Sequence, residues 1–377
     1  MVTIHDIIKE LEEIPPLPKA ALELLDLTND IHANAGKATE ILSKDPALSM
    51  KVLKAANSCK YGYSRHIGTV SQAVVILGFK GLRNLILGLA IYKFIGNSKN
   101  EFSNQLWKHL LITACLAKDI TDKMGQEDPE LGFLCGLIHD IGKAVLMNKE
   151  PEVYSELIER AHAEGISLHE IEGDFLKFNH GDLGREICRS WNLPGILVRT
   201  VSLHHNKFFT KVDEENDNEL LQTVILADNL AKLFSISDSH SVTLIPSVIE
   251  LFENKGVNQK FLENLFRKLP QEIANLEDIF PGVFKLDSTP TMKAAVSMSD
   301  PLQERILRLF MLGKNYELVD DRSEADIYIS DGESCAGTQN FILCDFFVKD
   351  THYNETLMFT NKLNEWLKTL EPPVKQD

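Results

Sequence analysis

"LCGLIHDIGKAVL", residues 134–146, sets His139 and Asp140 side by side in an otherwise apolar run. A buried imidazole or carboxylate without a partner is costly, so hydrogen bonds or a metal ion must stand opposite the pair. The same anomaly recurs on two other stretches. In "QLWKHLLITACLAK", residues 105–118, His109 shares a helix face with Leu106, Ile112, Thr113 and Leu116. In "LLQTVILADNLAKL", residues 220–233, Asp228 follows Ile225, Val224 and Leu221 at helical spacing, which puts a carboxylate on the buried face. Polar groups turned inward from three helices can meet at one point, which is how helical bundles build metal centres.

Outward from these segments the pattern stays helical from residue 3 to about 280. Asp45 and Pro46 open one helix as N-cap and first helical residue, and Thr69 with Gln72 form a capping-box pattern ahead of a long apolar stretch that Gly78 divides. The periodicity predicts further helices near 101–124, 130–149, 151–164, 167–177, 180–190, 194–205, 217–235, 244–254 and 257–276. Prolines, serines and a glycine then collect at 283–300, which reads as a linker. Beyond it, 301–377 reads as a small α/β unit: a helix at "DPLQERILRLFMLGKN", strands at "YELVD", "ADIYIS" and "NFILCDFFV", and a closing helix at "NETLMFTNKLNEWLKTL". No strand is expected before about residue 315. The fold class is therefore mainly α, a multi-helix bundle over 1–282 followed by a small, degenerate flavodoxin-like or receiver-like α/β unit.

Composition narrows the function. With 55 acidic and 39 basic residues the net charge is −16, which disfavours attraction to nucleic acid or anionic lipid and suits a cytoplasmic protein. The acidic N-terminus lacks the form of a secretory signal. The longest apolar stretch, around "NLILGLAIYKF", is read as shorter than the roughly 20 residues a membrane span needs, so no membrane is expected. Six scattered cysteines form no C-x-x-C pair and read as core residues in a reducing compartment.

The order His109, His139 with Asp140, and Asp228 resembles the metal-binding pattern of the HD superfamily of phosphohydrolases. The resemblance implies a divalent cation held by these four residues. His180 in "FNHGDLG" and the pair His204 and His205 in "SLHHNK" fall where binuclear members carry second-metal ligands, and Lys143 matches a lysine placed near metals and phosphate. Adjacent helical residues point about 100° apart, so one of His204 and His205 is expected to reach the centre. Imidazoles with carboxylates suit iron, manganese, zinc or nickel, in a mono- or binuclear centre, with Asp140 able to bridge two ions.

Four segments, "IPPLPKAALELLDLTND", "DPALSMKVLKAANSCKYG", "TVSQAVVILGFKGLRNLILG" and "FNHGDLGREICRSWNLP", sharpen the likeness. Over about 8–235 the chain resembles the HDOD family, a bacterial signalling branch of the HD superfamily. That resemblance implies a regulatory, non-catalytic module acting on a signalling protein, although this chain keeps ligands many HDOD proteins have lost. A metal-dependent phosphohydrolase acting on a nucleotide or phosphodiester is the alternative, with Asp140 and Lys143 as its catalytic groups; a homodimer is also left open. After the His pair the chain runs "HHNKFFTKVDEENDNEL" in place of the glycine-rich stretch ending in Gly-Tyr-Pro, so cyclic di-GMP hydrolysis is not expected. His5, His32, His66, His162, His169, His240 and His352 read as surface or structural.

Overall fold

A computed structural model describes residues 17, 19–28, 34–57, 67–95, 101–126, 128–164, 166–205, 217–234, 243–244, 255–277, 279–280, 293–298, 301–313, 316–320, 324–325, 327–330, 339–342, 347–350 and 355–359. Three helices, α1 (Lys19–Thr28), α2 (Ala35–Ser43) and α3 (Pro46–Ala56), pack on the long α4 (Val70–Ile95). Asp45 caps α3 as expected, its side chain accepting from Leu48 N at 3.0 Å, with Pro46 in the first turn. Asn57 closes the same helix: its amide donates to Leu53 O and Ile67 O, and its Oδ1 accepts from Ile67 N. Gly78 breaks α4 at φ 66°, a conformation that glycine reaches without a Cβ clash. By length and composition α4, at 26 residues, is long and apolar enough to cross a membrane, longer than its apolar run alone suggests. Much of it is nonetheless buried in this bundle, Leu82, Ile86 and Ile91 included.

The central bundle follows: α5 (Glu101–Lys123), α6 (Pro129–Ile138), α7 (Ile141–Lys149), α8 (Pro151–Glu164), α9 (Leu168–Leu176), α10 (His180–Ser190), α11 (Gly195–Leu203) and α12 (Asp217–Phe234). The single helix expected over 130–149 is two. His139 is the C-cap of α6 and Asp140, at φ −104° and ψ 18°, leaves the helical path before α7 begins. A straight helix would splay adjacent side chains; the break lets both face one point. Gly136, one turn earlier, sets the depth of α6. A Cβ there would stand 2.8 Å from Ala114 Cα and Thr113 O, so only a bare α-carbon allows α6 to lie against α5. Cys115, Cys135 and Cys188 are buried, and burial pushes the Cys135 and Cys188 thiols up to about 12, which leaves these two inert core residues.

Past the bundle come β1 (Thr243–Leu244), α13 (Gln259–Glu277), β2 (Lys293–Ser297), α14 (Pro301–Gly313), β3 (Glu317–Leu318), β4 (Ile327–Ser330), β5 (Gln339–Ile342), β6 (Phe347–Asp350) and β7 (Glu355–Phe359). Except for Leu244, which lies in β1, the helix expected at 244–254 falls outside the described residues. The linker reading of 283–300 is corrected, because Lys293–Ser297 is an inner strand of a four-stranded parallel sheet ordered β3-β2-β4-β5. Its Ala294, Ala295 and Val296 are buried, and that burial overrides the weak strand preference of alanine. "NFILCDFFV" divides between β5 and β6. The start of the expected closing helix is β7, paired antiparallel with β6 and β1 in a second sheet. Helix α14 packs on α12 and α13, with Ile306, Leu307, Phe310 and Met311 fully buried and Arg308 Nε on Glu263 Oε1 at 3.1 Å.

Candidate metal centre

Seven side chains named from the sequence converge inside the central bundle, in two groups. His109 from α5, His139 from the α6 end and Asp228 from α12 form the first; Asp140, His180, His204 and His205 form the second. Within each group the ligand atoms lie within 4.8 Å of one another. Asp140 joins the two. Its Oδ2 faces His139 Nε2 at 3.3 Å and His109 Nε2 at 3.6 Å, while Oδ1 faces His180 Nε2 at 3.1 Å and His204 Nε2 at 3.2 Å. In the first group His109 Nε2 also stands 3.1 Å from Asp228 Oδ1 and 3.2 Å from His139 Nε2. Both His204 and His205 belong to the second group, since α11 ends at Leu203 and the chain turns at the pair rather than continuing the helix. His205 Nε2 lies 2.8 Å from His180 Nε2.

The imidazoles are fixed from behind. His139 Nδ1 donates to Gly136 O at 2.7 Å and His204 Nδ1 donates to Val201 O at 2.8 Å, so in the neutral His204 ring Nε2 carries a lone pair. That lone pair points at Asp140 Oδ1, 3.2 Å away, acceptor against acceptor. A cation between them resolves the conflict, and this is the test the donor set passes: nitrogen and oxygen donors aimed inward with their far sides already bonded. Lys143 Nζ meets Asp140 Oδ2 at 2.6 Å and Lys232 Nζ meets Asp228 Oδ2 at 2.8 Å.

Burial sets the charge states. It pushes the Asp140 carboxyl up, but Lys143, His139 and His180 outweigh it and hold the group well below the usual carboxylate range. Asp228 behaves alike through Lys232, His109 and His139. Burial lowers His109 and takes His204 down to about 4, leaving both neutral imidazoles fit to ligate.

Glu172, Tyr154, Lys232 and His169 escaped the sequence reading. Glu172 on α9, wholly buried, accepts from His180 Nδ1 at 2.6 Å and from Tyr154 Oη at 2.6 Å. Against the pull of burial, Glu172 raises His180 above its ordinary value. The remaining contributor is His169, set aside as surface or structural, which stacks on His205 at 4.7 Å with rings 5° from parallel. A signal existed for Glu172 and Lys232. Glu172 lies one turn after buried Leu168, and Lys232 one turn after Asp228.

A helical bundle whose interior gathers histidines and aspartates from separate helices around one bridging aspartate defines an HD-type protein. Residues 14–207, more than half of the 377, match the HDOD domain, and the chain belongs to the HDOD family. An uncharacterized protein of Treponema pallidum (strain Nichols) is 26% identical over 197 residues, covering 52% of this chain and 38% of the relative. Ribonuclease Y of Bacillus subtilis (strain 168) is 24% identical over 224 residues, 59% of this chain and 31% of that protein. The chain thus spans well under half the length of these curated relatives. The crystal structure of an HDOD domain protein from Geobacter sulfurreducens shares the fold, with a TM-score of 0.60 at 24% identity over 75% of this chain and 97% of that one.

Proposed function

We propose that this chain is a cytoplasmic signal-transduction protein whose HDOD core holds a divalent-metal centre and which acts through contact with a signalling partner. The burial of the donors carries this reading. His109, His139, Asp140, His180, His204 and Asp228 are each 4% exposed or less. A phosphoryl substrate needs an accessible face on the centre, whereas a sensory or structural ion does not. Two further features support it. After the His pair the sequence carries Asp213, Glu214 and Glu215 and lacks a Gly-Tyr-Pro stretch, and α14 of the C-terminal unit packs on α12, the helix that supplies Asp228.

A second reading is a metal-dependent phosphohydrolase, favoured by one observation: the two oxygens of Asp140 are divided between two complete donor groups, with the Lys143 ammonium alongside. Bound metal there supplies acidified water and charge neutralisation of a phosphate. Lys143 would steady the anionic group and Asp140 would keep both donor groups in register. The charge of −16 favours a nucleotide or small phosphodiester over a nucleic-acid polymer.

Metal analysis of purified protein, with a hydrolysis panel of nucleotides and generic phosphodiesters, separates the readings. Bound metal without turnover supports the signalling module. Turnover abolished in Asp140→Ala supports the enzyme. Equally low metal content in wild type and Asp140→Ala overturns both.

A further inference from the structure

We propose that Lys232 is a positioning residue of the metal centre: its ammonium retains Oδ2 of Asp228, so that Asp228 offers Oδ1 alone to a cation. The inference rests on the reading of the cluster as a metal centre. Lys232 follows Asp228 by one helical turn on α12, and Nζ donates to Oδ2 at 2.8 Å. The other oxygen, Oδ1, faces His109 Nε2 at 3.1 Å and His139 Nε2 at 3.8 Å. One carboxylate is thereby shared between the ligand donors and a cation of the chain itself. An exposed pair at this spacing would contribute little, but here the lysine side chain is 6% and the aspartate 3% exposed, so neither charge has water to turn to.

Lys143 stands in the opposite relation. Its Nζ occupies Asp140 Oδ2, the oxygen that faces the first group. A cation entering that group competes with Lys143 for its oxygen and does not compete with Lys232. Lys232 therefore keeps its place when metal binds, and it fixes which oxygen of Asp228 remains free.

The test titrates the full-length, chelator-stripped protein with cobalt(II) and follows its visible absorption. Lys232→Met is expected to weaken first-group binding about tenfold, as loss of outer partners of metal ligands does, and to change the spectrum because Asp228 gains a second free oxygen. Lys232→Arg, which keeps a donor on Oδ2, is expected to stay within about threefold of wild type with the wild-type spectrum. Added to Asp228→Asn, Lys232→Met is expected to have no further effect, since it acts through that carboxylate. Wild-type affinity and spectrum in a folded Lys232→Met protein would overturn the proposal, as would additive losses in the double variant. If Lys232→Met does not fold, Lys232→Arg decides, and an altered spectrum there counts against it. Unchanged cobalt uptake in Asp228→Asn would instead overturn the metal-centre reading.

Discussion

Glu172 grips His180 twice, accepting from the ring Nδ1 at 2.6 Å and from the backbone N at 2.8 Å. The first contact turns Nε2 toward Asp140; the second anchors the start of α10. A carboxylate behind a ligating imidazole fixes its tautomer and its aim. Glu172→Gln keeps the shape but removes the charge, and is expected to weaken second-group binding by about 10–100-fold while sparing the first group. Metal content and calorimetric titration would show it; equal loss from both groups would contradict this assignment.

Asp140 and Asp228 should differ in what their loss removes. Asp140 faces both groups, Asp228 only the first. Asp140→Asn is expected to lower occupancy throughout the centre, and Asp228→Asn to spare the second group. Metal per chain after equilibration with limiting ion is the measurement. Identical retention in the two variants would break the bridging assignment.

Gly142 has no room for a side chain, because a Cβ there would fall 2.0 Å from the His180 carbonyl oxygen and 2.8 Å from its carbon. Gly142→Ala must push α7 from α10, with an expected loss of about 1–3 kcal/mol in urea unfolding and a weaker second group, since His180 moves with its backbone. At Gly184 the nearest atom is Val201 Cγ1 at 2.5 Å, a side-chain methyl that can turn, so Gly184→Ala should cost less. The reverse order would mean that α10 yields more easily than this packing implies.

The centre was legible because each of its seven donors interrupts an apolar face or sits in a motif of the HD pattern, and burial makes such interruptions expensive. Asp45, Pro46 and Gly78 were legible for a local reason: a cap, a ring-fixed φ and a positive φ are properties of single residues. The helix break at His139 and Asp140 was not, since "GLIHDIGK" suits one helix and only the shared centre requires two. Strands β2 and β7 were hidden for a related reason. "KAAVS" and "ETLMF" are ambiguous alone, and pairing with distant segments decides them. His169 escaped because its role depends on stacking against a residue 36 positions away, which helical spacing cannot show.

Acid should weaken the metal-free protein above the range where carboxylates titrate. Burial holds His204 at about 4 in the fold, whereas its unfolded value is about 6.5. Between those values the unfolded chain binds the extra proton, so stability falls as pH falls through the window, by up to roughly 3 kcal/mol from this residue. His180 has the opposite sign. Raised by Glu172 against burial, it contributes fully below about 6.5 and loses its contribution as pH rises through its folded value. Asp140, Asp228 and Glu172 are depressed, so their contributions hold above about 4 and fade only below it. The chelated protein is therefore expected to be most stable near neutral pH, with its urea midpoint dropping between pH 7 and pH 4.5. His204→Asn should shrink that drop without abolishing it, because His169, also held at about 4, and His109 and His205, likewise lowered by burial, must still be charged on unfolding. Loaded protein should show a steeper fall, since protons then compete with the ion for the same Nε2 atoms. A drop of the same size in chelated wild type and His204→Asn would show that the fold does not hold His204 neutral, and so that it is not the neutral donor the centre requires.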